Sequence, residues 1–222
     1  MKEEKIISDM KETWSTIADV WTHLRAKAYE EVVEFCSFLQ KPGLVLDIGC
    51  GNARNLVPFL ERGFSCVGLD FSKSMIRKAK IFLRRRMLKS NFLVADMRFL
   101  PFKQKFFDYV LCTRILHHIP TTKLRVKSLE ELARVAKGGA EVLVTVWRRY
   151  YPRFLIDFFS NIFERKFDFC DVYKKWKYHD KTYKIFYHLY SLEEFERELK
   201  EADFKISVIY PSDGNLIAKC KI

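Results

Sequence analysis

At 222 residues the chain is long enough for one domain with a sizeable core. Lys and Arg outnumber Asp and Glu by 40 to 28, a net charge of +12 that points to a polyanionic partner, RNA or an anionic membrane surface, rather than to a fold. No run of about 18 apolar residues is present to span a membrane, and the six cysteines, scattered without a Cys-x-x-Cys pair, argue against a structural zinc site and for a reducing, cytoplasmic setting.

The opening MKEEKIISDM lacks the apolar stretch of a secretion signal. Over residues 5–40, Trp14, Ile17, Trp21 and Leu24, then Val32, Val33, Phe35 and Leu39, recur at helical spacing and predict one or two helices. These are read either as core or as a lid, residues 1–40, over a pocket. Arg25, Lys27 and Tyr29 fall in the break between the helices and are placed to reach that pocket.

Leu44–Ala53, LVLDIGCGNA, organises the rest. Apolar residues around Asp47, with Pro42-Gly43 before and glycines after, read as a buried strand. Gly49-Cys50-Gly51-Asn52 is a turn where the backbone bends sharply or lets a ligand come close, and Ala53–Leu60 then starts a helix facing that ligand. The next strand, Cys66–Leu69, ends in Asp70, and the run Phe92–Ala95 ends in Asp96. An acid at the second strand end suits a ribose diol. Three strand-terminal carboxylates are poor neighbours for a pyrophosphate, which disfavours a dinucleotide, and good ones for a cofactor with a ribose, an exocyclic amine and a positive charge.

Ser72 is an N-cap for a helix over Lys73–Lys89 that carries eight cations and no acid, with Ile76, Ala79, Leu83 and Met87 as its buried stripe. That basic face is read as a solvated surface or as an RNA-phosphate contact. Strands follow at Asn91–Ala95 and Phe107–Thr113, then the loop Arg114–Pro120, a helix over Thr121–Lys137 ended by Gly138-Gly139, and a strand at Ala140–Trp147. Residues 150–190 are an aromatic and basic insertion, suited to stacking RNA bases, to an interfacial helix at Phe154–Phe163, or to a small extra layer on the sheet. Ser191-x-x-Glu194 opens a helix to Ala202 with a capping box, and Lys205–Tyr210 and Leu216–Cys220 form a hairpin. The expected fold is α/β: a Rossmann-like, seven-stranded, mostly parallel sheet with a terminal antiparallel hairpin and helices on both faces, in one domain.

Asp47-Ile48-Gly49-Cys50-Gly51-Asn52-Ala53 with Asp70 and Asp96 resembles the class I S-adenosylmethionine-dependent methyltransferases, whose first motif is acid-x-Gly-x-Gly-x-Gly. Ala53 replaces the last glycine, a mild departure if its dihedrals are helical. The resemblance implies S-adenosyl-L-methionine as cofactor, with Gly49 and Gly51 at its methionine portion, Asp70 at its ribose, Asp96 at its adenine amine, and Asp47, Met97, Arg25 and Thr113 beside it.

Four further segments, Arg114–Pro120, Arg125, Val146-Trp147 and Tyr187-His188-Leu189-Tyr190, resemble the tRNA wobble-uridine carboxymethyl methyltransferases, as does Arg25-Ala26-Lys27-Ala28-Tyr29 with Pro-Trp replaced by Ala-Tyr. That resemblance implies methylation of a uridine-borne carboxylate to its ester, with tRNA as substrate and a small zinc-binding activator protein as heterodimeric partner. A carboxylate is ionised at neutral pH and needs positioning more than a base. Arg125, His118 and His188 are the expected orienting groups, and Trp147 and Tyr187 the expected base stack; one of His117 and His118 is expected to be structural. Other readings are a methyltransferase of a quinone or lipid precursor, a non-catalytic RNA-binding subunit, and methylation of another carboxylate or nitrogen on RNA.

Overall fold

The structure, a computed structural model, describes residues 2–152, 168 and 170–222. Short apolar runs bounded by turns form nine strands among these residues: β1 (Leu44–Ile48), β2 (Ser65–Asp70), β3 (Asn91–Val94), β4 (Phe107–Thr113), β5 (Ala136–Trp147), β6 (Asp171–Tyr178), β7 (Lys181–His188), β8 (Lys205–Ser212) and β9 (Asn215–Lys221). Seven make one sheet in the order β3-β2-β1-β4-β5-β9-β8. The first five are mutually parallel, and β9 runs antiparallel between β5 and β8. The Asp213-Gly214 pair, both at positive φ, closes the terminal hairpin as a two-residue turn.

Alternation along the strands divides the core into two faces. On one face Leu46 and Ile48 of β1, Val110 and Cys112 of β4 and Val142, Val144 and Val146 of β5 pack under α6 (Thr122–Val135) and α7 (Leu192–Glu201). On the other, Val45, Leu111 and Leu143 meet α3 (Glu30–Phe38), α4 (Val57–Glu61) and α5 (Lys73–Arg84). Parallel strands covered on both faces read as continuous apolar runs for this reason.

A third cluster joins α1 (Lys2–Thr16) to the separate β6–β7 ribbon through Ile6, Met10, Val172, Ile185 and Phe186, and the Phe186 N–H donates to the Met10 sulfur at 3.2 Å. The N-terminal segment thus holds three helices, with α2 (Ala18–His23) between α1 and α3, where one or two were expected. The insertion contributes two strands that the expected count of seven did not include. Its amphipathic stretch at 154–163 lies outside the described residues. Among the described residues no helix is long and apolar enough to cross a membrane.

Two helices are shorter than their sequence patterns. α5 stops at Arg84, not Lys89, because Met87 turns left-handed (φ +57°) and the Leu88 and Met87 N–H groups bond back to Leu83 and Arg84. α6 ends at Val135, before the two glycines, because Ala136 is already in β5 beside Phe107.

Candidate active site

Strand order reverses between β1 and β4, and a cavity of ≈ 390 Å³ opens at their carboxyl ends. The turn after β1 forms its floor. Gly49 (φ +67°) and Gly51 (φ +52°) adopt the left-handed conformation, and a Cβ on Gly49 would lie 2.2 Å from the Ile115 side chain. Ala53 is also left-handed, at φ +65°, so its expected helical dihedrals are corrected: that position carries the strain a glycine would avoid, and the chain passes into a single 3₁₀ turn at Arg54–Leu56 before α4. Its buried methyl packs in the core, which offsets part of that strain.

Asp70, at the end of β2, ties the floor to the next helix. One carboxylate oxygen accepts the Gly51 N–H at 3.0 Å, and the other accepts the Ser72 N–H at 2.9 Å, while Ser72 caps α5 through Met75. Burial pushes the Asp70 carboxyl up to about 6 against those two bonds. Asp47 lies beneath the turn, fully buried and outside the cavity wall, with both oxygens unpartnered. Burial, then the charge of Asp70, pushes it up to about 8. Asp96 and Met97 line the cavity beyond β3, and Arg98 grips Asp96 at 2.7 Å while reaching Glu4 of α1.

The N-terminal wall is pinned by two amides of the turn segment. Asn52 Nδ2 donates to the Arg25 carbonyl at 2.7 Å. Asn55 Oδ1 accepts the Tyr29 N–H at 3.3 Å, and Asn55 Nδ2 donates to Thr113 Oγ1 at 3.0 Å. Between these pins cations and rings alternate: Arg25 lies 5.0 Å from the Trp21 ring, Arg54 lies 5.4 Å from Trp21 and 4.0 Å from Tyr29, and Arg114 lies 3.5 Å from Tyr29. All five line the cavity. Among the described residues the one ion pair of these three arginines joins Arg114 to Glu31 at 3.0 Å, and a buried nitrogen on each of Arg54 and Arg114 has no partner there. Arg54, Asn55 and Arg114 were not assigned as site residues from sequence; Asn52-x-x-Asn55 directly after the glycines was the available signal.

His117 and His118 share the opposite wall with Trp147 and Tyr187. The Trp147 N–H donates to His117 Nδ1 at 3.1 Å, so that imidazole carries its proton on Nε2. His118 Nδ1 faces the Phe186 carbonyl at 2.9 Å and must donate, which leaves Nε2 as an acceptor. Burial pushes His118 down to about 4 and His117 well below its usual range. Both rings are therefore neutral, one a donor and one an acceptor, where a cationic donor was expected at His118. Trp147 and Tyr187 stack on each other, centroids 4.1 Å apart and planes 4° from parallel, so that one face of each ring is already covered.

The neutral His118 gives a pH prediction. Its folded pKa lies below the unfolded value, so its stabilising effect is present above about 6.5 and is lost as pH falls toward 4. Relative to His118→Asn, whose amide can still donate to the Phe186 carbonyl, the wild-type chain is expected to lose up to about 3 kcal/mol between pH 7 and pH 4. Urea unfolding of both proteins at several pH values measures this; a constant difference would mean that the ring takes up its proton as readily in the folded chain as in the unfolded one.

Arg125 and His188 do not line the cavity, which corrects their expected place at the substrate. Arg125 on α6 is fully buried, bonded to Glu198 at 2.7 Å and Glu194 at 3.3 Å on α7. His188 is clamped between Asp171 and Glu194, each at 2.9 Å, and these carboxylates raise it against its burial into a cation. Arg149 completes the set on Glu194 at 3.0 Å, and the Tyr190 hydroxyl donates to Glu198 at 2.9 Å. Three cations thus meet three carboxylates. Glu194, expected to turn back in a capping box, turns inward instead, and only the Ser191 half of the box forms. Asp168, His188 and Glu194 bring ligand-type atoms within 4.8 Å, but both imidazole nitrogens and Glu194 are already engaged, so the cluster is an ion-pair network.

The residues present fit S-adenosylmethionine. The left-handed Gly49–Gly51 turn is a backbone cradle, Asp70 lines the cavity with a carboxylate suited to a positive charge, and Arg54 offers an unpartnered nitrogen to a carboxylate. Residues 45–139 match the family model described as a methyltransferase domain. The chain is 35% identical over 136 residues to the tRNA (carboxymethyluridine(34)-5-O)-methyltransferase of Arabidopsis thaliana, a stretch that is 60% of this chain and 31% of that protein. It spans about a third or less of the first curated relatives it matches. Among solved structures it is similar to an S-adenosylmethionine-dependent methyltransferase of Methanosarcina mazei (TM-score 0.76, 21% identity, covering 88% of this chain and 99% of that one). It is also similar to the 1,6-didemethyltoxoflavin-N1-methyltransferase of Burkholderia thailandensis, solved with S-adenosylhomocysteine (TM-score 0.69, 17% identity, covering 99% and 89%). With the sheet order, the glycine turn and its strand-end acids, these findings identify residues 45–139 as matching a methyltransferase domain, in a chain with the fold of S-adenosylmethionine-dependent methyltransferases.

Proposed function

We propose that the chain methylates the carboxylate of a 5-carboxymethyl-type uridine at the wobble position of tRNA, giving the methyl ester. The observation that carries this reading is the cationic wall: Arg25, Arg54 and Arg114 line the cavity, and among the described residues Glu31 is the one acid paired with them. Such a wall suits two anions, the carboxylate of the cofactor and that of the substrate. The Arabidopsis relative's name supports the RNA target.

When bound, the cofactor supplies a methyl group on a sulfonium sulfur. The chain's own residues then have to hold and orient. Arg25 and Arg54 hold the cofactor's carboxylate, Asp70 its ribose and Asp96 its amine. Arg114, left-handed at φ +59° with its N–H donated to the Thr145 carbonyl and Oγ1, orients the substrate carboxylate in the place expected of Arg125. The neutral His117 and His118 offer a donor and an acceptor to a heterocycle, and remove no proton because a carboxylate has none to lose at neutral pH. Arg114→Ala is expected to lower kcat about a hundredfold with cofactor affinity unchanged, read by single-turnover methyl transfer and calorimetry; equal losses in both would move Arg114 to the cofactor.

The zinc-binding activator is proposed to pair with the free edge of β3, where Leu93 and Val94 are 37% and 43% exposed. The reaction is tested by incubating the chain, with and without that activator, with radiolabelled S-adenosylmethionine and tRNA from cells lacking the enzyme. Label in tRNA released by mild alkali is the expected ester. Alkali-stable label would move the target to nitrogen or carbon, and no label with either preparation despite measurable cofactor binding would favour a quinone or lipid precursor.

A further inference from the structure

We propose that the β6–β7 ribbon is the surface on which the RNA docks, with Trp176 meeting a base that enters the cavity and Lys175 and Lys177 holding the flanking phosphates. This rests on the tRNA reading above and names the part of the chain that makes the contact. Residues 173–184 hold five lysines and one acid, Asp180. The register sets Lys175 directly opposite Lys184, Trp176 opposite Tyr183 and Lys177 opposite Thr182. The pairing thus sets two exposed like charges, Lys175 and Lys184, directly opposite each other.

The ribbon forms the mouth of the cavity. Lys174, Lys175 and Trp176 line it, Trp176 is half-buried, and Lys175 and Lys177 on either side of it are exposed to solvent. A nucleotide whose base is splayed into the cavity therefore has its own phosphates beside these lysines, the arrangement by which single-stranded RNA is stacked and held. The rival basic surface is α5. Its exposed Lys73, Arg77, Lys80 and Arg84 lie away from its buried stripe, and Lys78 is paired with Asp19. Of α5 only Met75 lines the cavity. A phosphate next to an inserted base reaches the ribbon, not that helix face.

The test compares tRNA binding by the full chain, the double variant Lys175→Glu/Lys177→Glu, its conservative counterpart Lys175→Arg/Lys177→Arg, and Arg84→Glu/Arg85→Glu, between 50 and 200 mM salt. The first double variant is expected to bind tRNA at least roughly tenfold more weakly, with the slope of log affinity against log salt shallower by about 2, and to bind S-adenosylmethionine as the wild type does. The arginine variant is expected to restore binding. Unchanged tRNA affinity in the glutamate ribbon variant, a larger loss in the α5 variant, or wild-type affinity for anionic lipid vesicles instead of tRNA overturns the proposal. Ester formation by a wild type whose ribbon variant binds tRNA normally overturns this inference alone, whereas ribbon-dependent tRNA binding with no ester formed overturns the reaction and leaves the docking surface standing.

Discussion

Replacing Arg125 by alanine is expected to destabilise the fold by about 3–5 kcal/mol, the penalty for leaving buried carboxylates without their cation. Glu198 is fully buried and has Arg125 at 2.7 Å and the Tyr190 hydroxyl as bonded partners, and among the described residues Glu194 would keep only the side chains of His188 and Arg149. In a chain of this size that is a fall in Tm of roughly 10 °C. The double variant Arg125→Met/Glu198→Leu removes charge from both sides and is expected to recover part of the loss, since a buried ion pair is often replaceable by apolar groups of similar volume. Cofactor affinity, measured by calorimetry well below the melting range, is expected to stay at the wild-type value because neither residue lines the cavity. Loss of turnover at unchanged stability would instead put Arg125 into the chemistry.

Asp70→Ala is expected to do the reverse: to lower affinity for S-adenosylmethionine at least about a hundredfold, which is about 2.7 kcal/mol, while changing stability little. Its carboxylate orders the cradle through the Gly51 and Ser72 N–H groups and supplies negative charge to a cofactor whose net charge is positive. Charge-assisted bonds of this kind contribute about 1.5–3 kcal/mol each. The same carboxyl is raised to about 6 by burial, so at pH 7 to 8 its ionised form is held at a cost of about 3 kcal/mol that the alanine variant is spared. The two effects on stability oppose one another. The sign also sets a pH dependence: wild-type cofactor affinity is expected to be flat above about pH 7 and to weaken as Asp70 takes up a proton below about 6, and the variant is expected to lose that step. Calorimetric titration at pH 5 to 8 with thermal melts measures both. Unchanged affinity in the variant would remove the cofactor from this strand end.

Local chemistry determined much of the molecule. The apolar run at 44–48, the glycines after it and the acid at 70 specify a strand, a left-handed turn and a carboxylate over that turn, and they do so through nearest neighbours in the chain. Ser72 and Ser191 cap their helices where the sequence places them, and Asp213-Gly214 closes the last hairpin. Short apolar runs separated by helical patterns were enough to expect one sheet with helices on both faces.

What the tertiary structure alone decided lies between groups far apart in sequence. Arg125, His188 and Glu194 are the right residue types for a carboxylate site, but α6, α7 and β7 pack so that these side chains satisfy one another, and burial permits no other arrangement of six charges. Arg54 and Arg114, 60 positions apart, become neighbours only because Tyr29 is pinned between them by Asn55. The protonation of His117 and His118 is set by an N–H of β5 and a carbonyl of β7, neither legible from the His-His pair itself. Ala53 shows the same division: its residue type pointed to an ordinary helix start, and the demand of the turn for a left-handed residue prevailed. Sequence thus determined which chemistry the chain carries, and packing decided which of its charged groups are spent on the fold and which remain to face a ligand, because a charge in the interior must find its partner there.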